Sequence, residues 1–362
     1  SDIRHSLHLA GSFSSVVILA LGLASGMSAA TTDAGKPVAL AGRAMGTSWS
    51  VKFIPPTAPL EPPLVRHQIV ERLEALEQQF STYRANSTLS RFNAARHTDW
   101  FPVEPELAQV AEASRAMSEL THGAFDVTVF PLVRLWGFGG KHRPDSLPNE
   151  QAMARARALV DWRRLEVRRN PPALRKMESR LEADFSSMAK GFAADAISVL
   201  LTGLGAPNHL VQIGGDVKSS GSPSGGAGWR TGIEEPVPGA HSIALVVPLR
   251  GEALSTSGDY RNFFEAGGKR FGHIIDPRSG WPVSGSVVAV SVVHRSAAMS
   301  SALATALFVL GAEEGGRIAR EQKLACLFQV RSGTNIVRHL TPEFLTADED
   351  SSRDESLEQR CD

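Results

Sequence analysis

The segment His273-Ile274-Ile275-Asp276-Pro277-Arg278-Ser279-Gly280 follows closely on Ser255-Thr256-Ser257-Gly258-Asp259-Tyr260. A histidine, carboxylates and small hydroxyls stand there among glycines and a proline. That mixture is costly in a core and inexpensive in a solvent-facing site. Pro277 and Gly280 punctuate a turn, so Asp276 and Ser279 are expected on a loop after a short strand. His273 is the natural base: an ordinary imidazole pKa of about 6.5 suits taking a proton from a hydroxyl near neutral pH. The bland alternative is a structural histidine bonded to Asp276.

A second group is Asp184-Phe185-Ser186-Ser187-Met188-Ala189-Lys190-Gly191. A carboxylate, two serines and a lysine at a strand-to-helix junction suit a phosphate-bearing ligand, because a helix N-terminus offers free N–H groups and Lys190 adds a point charge. The alternative is an N-cap by Ser186 or Ser187 with Lys190 solvated. Gly214-Gly215 either relieves a tight turn or lets a pyrophosphate approach the backbone. It is not a G-x-G-x-x-G fingerprint, so a Rossmann dinucleotide unit is not indicated.

Tyr83 and Tyr260 are the chain's two tyrosines. Tyr83 could stack on a flat heterocycle or cover the core. Met45 precedes Gly46, which suggests close backbone approach. Ala124-Phe125-Asp126 is either a ring sandwich with an acceptor or a strand start with a capping aspartate. Ser301 and Thr305 stand at i and i+4, so on a helix they share one face.

Residues 38–53 read as two strands around Met45-Gly46. Val65, Ile69, Leu73, Leu76 and Phe80 repeat at helical spacing, which predicts a helix over 61–80. Further helices are expected at 107–120, 151–159, 190–201 and 297–310, the last stopped by Gly311. Strands are expected at 165–168, 181–185, 210–213, 243–247 and 287–293, and 127–129 reads as a strand-like run. Residues 221–228 read as a loop.

The 362 residues are 42% hydrophobic and 21% charged, enough for a real core. Lys plus Arg and Asp plus Glu both number 38, so no overall basic field invites nucleic acid. Cys326 and Cys361 make neither a disulfide framework nor a metal site, and Cys326 lies in an apolar run that suits the core. Arg4 and His5, the apolar run 16–24 and Ser28-Ala29-Ala30 read as a signal peptide over 1–30, cleaved on export to the periplasm. An uncleaved membrane anchor is the weaker alternative, and no cysteine follows to carry a lipid. Residues 31–347 then form the functional domain and 348–362 an acidic, disordered tail.

Six of these blocks, in this order, resemble the ApbE family of FAD:protein FMN transferases over roughly residues 42–310. The resemblance implies an α+β fold: one compact domain with a mixed or antiparallel sheet, flanking helices and a site between two lobes. It implies transfer of FMN from FAD to a Ser or Thr hydroxyl of a partner protein, with release of AMP and with Mg²⁺ as cofactor. His273 would be the base. Met45, Tyr83, Ala124, Phe125, Asp126, Asp184, Lys190 and Ile275 would contact FAD. The Ser187 carbonyl, Ser301 and Thr305 would face the metal. The acceptor protein would carry an Asp-x-x-(Ser/Thr)-Gly-Ala-(Ser/Thr) motif and would be an exported or membrane redox protein; a nitrous-oxide-reductase accessory system is one such setting. Residues 276–280 mimic that motif only in part, since Trp281-Pro282 follow, so self-modification is not expected.

One position departs from the family pattern. Where the family carries an aspartate, this chain has Ser301. Mg²⁺ favours hard oxygens with at least one carboxylate. Either FAD phosphates and water fill the gap, or another carboxylate such as Asp184 or Asp259 does, or activity is reduced. FAD hydrolysis to FMN and AMP, and a flavin carrier that has lost catalysis, are the competing readings.

Overall fold

The computed structural model describes residues 36–344, apart from 58–59, 140–146, 224–225, 227, 238 and 240–241. The expected signal peptide, the acidic tail and Cys361 lie outside the described residues. Strands β1 (Val38–Ala44) and β2 (Thr47–Phe53) form the expected hairpin. Its two-residue turn needs positive φ at both positions, and Met45 (51°) and Gly46 (71°) supply it. Helix α1 (Pro62–Phe80) follows, with the five residues of the apolar stripe all buried. After it come α2 (Thr88–Ala94), β3 (Phe101–Pro102), α3 (Pro105–Leu120), a 3₁₀ turn at Val127–Val129, α4 (Phe130–Leu135) and α5 (Glu150–Arg157).

Strands β4 (Leu165–Arg169) and β5 (Pro172–Lys176) join β3 in a small sheet of order β3-β5-β4. Helix α6 (Ser186–Gly203) leads to β6 (His209–Ile213), β7 (Asp216–Ser220), β8 (Trp229–Glu234), β9 (Ile243–Leu249) and β10 (Ala253–Gly258). Next are β11 (Phe263–Ala266), β12 (Lys269–Gly272), β13 (Val287–His294), α7 (Ala297–Glu321), β14 (Ala325–Ser332) and β15 (Asn335–Leu340). The main sheet has eight strands in the order β1-β2-β6-β7-β10-β13-β14-β15, every pair antiparallel. Pairs β8-β9 and β11-β12 stand apart as two-stranded ribbons. The fold is the expected α+β, with an antiparallel rather than a mixed sheet.

Helices α1, α6 and α7 share the main core with β2, β6 and β13. Ala193, Ala194, Ile197 and Leu201 face it, as the periodicity predicts. Cys326 is wholly buried in the same core, and burial pushes its thiol up to about 12. Helices α6 and α7 meet tightly at Gly191: a Cβ there would lie 2.2 Å from the Ala297 carbonyl oxygen. Asp195 of α6 fastens the crossing. Its carboxylate accepts from Ala297 N (2.9 Å), Ala298 N (3.1 Å) and Ser296 Oγ (2.8 Å), satisfying free donors at the start of α7.

Three expectations need correction. Residues 181–185 alternate like a strand but pair with no strand; instead the Asn93 side-chain amide brackets Ala183, giving and taking one 2.8 Å hydrogen bond. One side chain does locally what a neighbouring strand would do. Residues 127–129 form a 3₁₀ turn, because the Asp126 carboxylate accepts from Thr128 N (2.7 Å) and closes the chain on itself. Gly311 does break the last helix (φ 78°, ψ −176°), but a second helical segment continues to Glu321. Among the described residues no helix is long and apolar enough to cross a membrane.

Candidate active site

Two hairpin tips meet at one end of the main sheet. The β6-β7 turn is Gly214 (φ 58°) and Gly215 (φ 100°), and Gly214 N donates to Ser48 O (3.0 Å) on the β1-β2 hairpin. The glycine at 214 is required twice over. Its φ is positive, and a Cβ would sit 2.7 Å from Lys190 Cδ and 2.9 Å from Thr47 Cγ2. The stem of Lys190, four residues into α6, therefore lies directly over the turn.

Lys190 Nζ donates to Ser186 O (3.1 Å), folding the lysine onto the first turn of its own helix. Neither serine caps that helix. The Asp184 carboxylate does so by accepting from Ser186 N (2.8 Å). Burial raises the Asp184 pKa, against the hydrogen bonds from Ser186 and the charge of Lys190. Asp184 N in turn donates to Val127 O (2.7 Å), which brings the 124–129 segment alongside.

Met45 is anchored through Glu77: Met45 N donates to the Glu77 carboxylate (3.0 Å), and Arg84 pairs with the same oxygen (3.1 Å). Tyr83, next to Arg84, is held by its own N–H donating to Ser81 Oγ (3.1 Å). Tyr83 is 74% exposed, a broad aromatic face left open beside the site. Partial burial first, and the Asp184 charge second, raise its phenol.

His273 follows β12 on a half-buried loop. Its Nδ1 faces the Asn262 carbonyl (3.2 Å), which can only accept, so Nδ1 carries the proton and Nε2 keeps its lone pair. Burial, with help from the Lys190 charge, lowers the ring's pKa to about 4. The imidazole is therefore neutral at physiological pH. It does not pair with Asp276, whose carboxylate holds Arg278 through Nε (3.0 Å) and Nη2 (3.1 Å).

Helix α7 contributes hydroxyls. Thr305 Oγ1 donates to Ser301 O (3.0 Å) and meets Ser257 Oγ (3.0 Å) of β10. Ser301 Oγ donates to a carboxylate that sequence reasoning missed, Asp216 Oδ2 (3.4 Å). Asp216 is only 5% exposed. Burial raises its pKa, against the Lys190 charge and the hydroxyls of Ser255 and Ser301. Ser255 Oγ lies beside this carboxylate without a well-formed hydrogen bond. The signal was present in the sequence: a carboxylate directly after a Gly-Gly turn, opening an apolar strand.

The structure thus gathers Met45, Tyr83, Asp184, Ser187, Lys190, His273, Ser301 and Thr305 around one sheet end. Four expected FAD contacts lie deeper in the protein. Phe125 and Ala124 are packed in the main core. Asp126 spends one oxygen on Thr128 and the other on Trp162 N (3.0 Å), which is the capping alternative, and burial raises its pKa to about 6. Ile275 is buried in a satellite cluster with Leu132, Trp136, Met153 and Phe271.

A neutral base, a lysine on a helix start and a hydroxyl-lined carboxylate suit displacement at a phosphate. The donor oxygens here are hard; among the described residues no group of three or more His, Cys, Asp or Glu is placed to hold a metal ion by itself.

Known proteins resemble this chain over most of its length. Residues 45–328 match the ApbE family. The FAD:protein FMN transferase of Vibrio cholerae is 36% identical over 307 residues, 85% of this chain and 91% of that protein. The Escherichia coli K12 protein of the same description is 33% identical, with 87% and 90% covered. Among solved structures, the Vibrio cholerae flavin transferase ApbE superposes with a TM-score of 0.79 at 34% identity, covering 85% of this chain and 98% of that one. The apo form of the Pseudomonas stutzeri flavinyl transferase ApbE gives 0.78 at 35% identity, with 85% and 95% covered.

Proposed function

This chain belongs to the ApbE family, and on that premise we propose that it is an FAD:protein FMN transferase. The observation that carries the reading is Lys190. Its stem crosses the Gly214 turn, and its charge reaches Asp184, Asp216 and His273 together. A cation at that point is where a pyrophosphate would need one.

In the proposed reaction the acceptor hydroxyl oxygen bonds to the FMN phosphorus of FAD, and the bond from that phosphorus to the AMP oxygen breaks. FMN ends as a phosphoester on the protein and AMP leaves. His273 Nε2 takes the hydroxyl proton, its Nδ1–H held by the Asn262 carbonyl so that the ring is aimed and neutral. Lys190 and the first-turn N–H groups of α6 hold phosphate oxygens. Tyr83 and Met45 flank the flavin. A magnesium ion near Thr305 would neutralise pyrophosphate charge. Phosphoryl transfer asks the protein mainly for position and charge, and these residues supply both.

We further propose that the acceptor carries the Asp-x-x-(Ser/Thr)-Gly-Ala-(Ser/Thr) motif and is exported, on the evidence of the signal-like pattern over residues 1–30. The test is incubation of the full chain with FAD, Mg²⁺ and a domain bearing that motif, followed by intact mass. One FMN adduct on the domain is expected, together with AMP. FMN and AMP without an adduct would make the chain a hydrolase, and bound but unchanged FAD would make it a carrier. Lys190→Ala should weaken FAD binding by roughly 10- to 100-fold, the worth of one charged hydrogen bond of about 1.5–3 kcal/mol. Riboflavin binding should change little. An equal loss for riboflavin would remove Lys190 from the phosphates.

A further inference from the structure

We propose that Asp216 supplies, from strand β7, the metal-facing carboxylate that helix α7 lacks at Ser301. The two side chains touch, Ser301 Oγ to Asp216 Oδ2 at 3.4 Å, so a carboxylate on either one would reach the same point in space. The negative charge has crossed from helix to strand while the ion's position has stayed. For what the ion does, this inference rests on the transferase reading; where the ion sits follows from the side chains alone.

Two observations carry it. Asp216 is nearly sealed from solvent, yet among the described residues it forms no ion pair. Its neighbours are hydroxyls, Ser301 and Ser255, and Lys190 acts on it only through its field. A buried carboxylate served by neutral groups is expensive, and a bound cation removes the cost.

The second observation is the direction of the hydroxyl protons. Ser301 gives its proton to Asp216, and Thr305 gives its own to the Ser301 carbonyl. Ser257 must then be the donor to Thr305. Each proton points into the protein, so the Ser301 and Thr305 oxygens keep lone pairs for a ligand. One carboxylate with two or three hydroxyls is a hard-oxygen set, which selects a small divalent cation such as Mg²⁺ or Mn²⁺ over zinc or copper. Neither Asp184 nor Asp259 takes this part. Asp184 caps α6, and the charges that act on Asp259 are those of Arg270 and Arg331.

The test uses Mn²⁺ as the probe on the full chain, read by electron paramagnetic resonance with and without FAD and displaced by Mg²⁺. FAD binding is measured separately by flavin fluorescence. Asp216→Asn should weaken Mn²⁺ binding at least tenfold. Ser301→Asp in the wild-type background should tighten it. The double variant Asp216→Asn with Ser301→Asp should return to within about threefold of wild type. Asp216→Asn with unchanged Mn²⁺ affinity overturns the proposal. Should that variant fail to fold, Ser301→Asp alone decides: unchanged Mn²⁺ affinity means that residue 301 does not face the ion. A wild type that binds FAD but takes up no Mn²⁺ overturns the metal assignment and leaves flavin transfer standing. A wild type that binds Mn²⁺ in this way but not FAD does the reverse.

Discussion

Replacing Gly191 by alanine is a direct probe of how the site is assembled. An added Cβ would lie 2.2 Å from Ala297 O, 2.5 Å from Ala297 C and 2.7 Å from Ala298 N. All three are backbone atoms at the start of α7, so no side chain can swing aside. Carbon contacts are comfortable at about 3.5–4 Å, so α6 and α7 must separate by roughly 1 Å. Overpacking of this kind costs about 1–3 kcal/mol. Alanine in place of glycine within a helix returns about 0.5–1 kcal/mol. The net loss is at most about 2.5 kcal/mol, and the midpoint of thermal unfolding should fall by up to roughly 5–10 °C. The functional effect should be larger. Lys190 rides on one helix and Ser301 with Thr305 on the other, and a 1 Å misplacement of positioning groups costs on the order of 10²-fold in rate. Gly203→Ala is the control: it lies on the same helix, with nothing within 4 Å of the new Cβ, and should leave both stability and rate intact or raise stability slightly. Calorimetry and FMN transfer followed by intact mass give the two readouts. If Gly191→Ala matches wild type in both, the helices do not cross where the geometry puts them, and the placement of Lys190 against Ser301 fails with them.

Two further variants probe the site and the helix crossing that supports it. His273→Asn should slow transfer by about 10²–10⁴-fold with FAD affinity kept within a few-fold; because the folded ring titrates near 4, the wild-type rate should not lose this base until the pH approaches that value. The same depressed pKa stabilises the fold fully above about pH 6.5 and is lost as pH falls toward about 4, so the variant should show a flatter stability curve across that window in acid titrations followed by circular dichroism. Asp195→Ala removes three hydrogen bonds to the start of α7 and should destabilise by about 1–2 kcal/mol in urea unfolding; an unchanged midpoint would show that water replaces the cap.

Much was legible without the structure because it is local. The α1 stripe needs only a 3.6-residue period, and the Met45-Gly46 hairpin only a turn that tolerates positive φ. Motif blocks such as residues 184–191 and 273–280 announce polar chemistry through residue types that a core would reject. Local pattern also misled where a distant side chain intervened. The alternation over 181–185 is strand-like, but Asn93, some 90 positions away, occupies the hydrogen bonds that a partner strand would need. Phe125 and Asp126 carry ligand-like types, yet their surroundings bury the ring in the core and spend the carboxylate on Thr128 and Trp162.

The decisive case is Ser301. By itself the sequence shows a helix hydroxyl where a carboxylate is expected, and it leaves the charge to Asp184, Asp259, the ligand or nothing. Only the tertiary structure puts Asp216, 85 positions earlier, within 3.4 Å of it. The reason is geometric. Antiparallel pairing of β6 with β7 and of β7 with β10 sets the start of β7 at the same sheet end as Ser257. The glycine contact between α6 and α7 then lowers the first turns of both helices onto that end. Residue types and spacing determined what chemistry this chain can do. Which carboxylate does it depends on distances across a sheet and between two helices, and no local pattern encodes those.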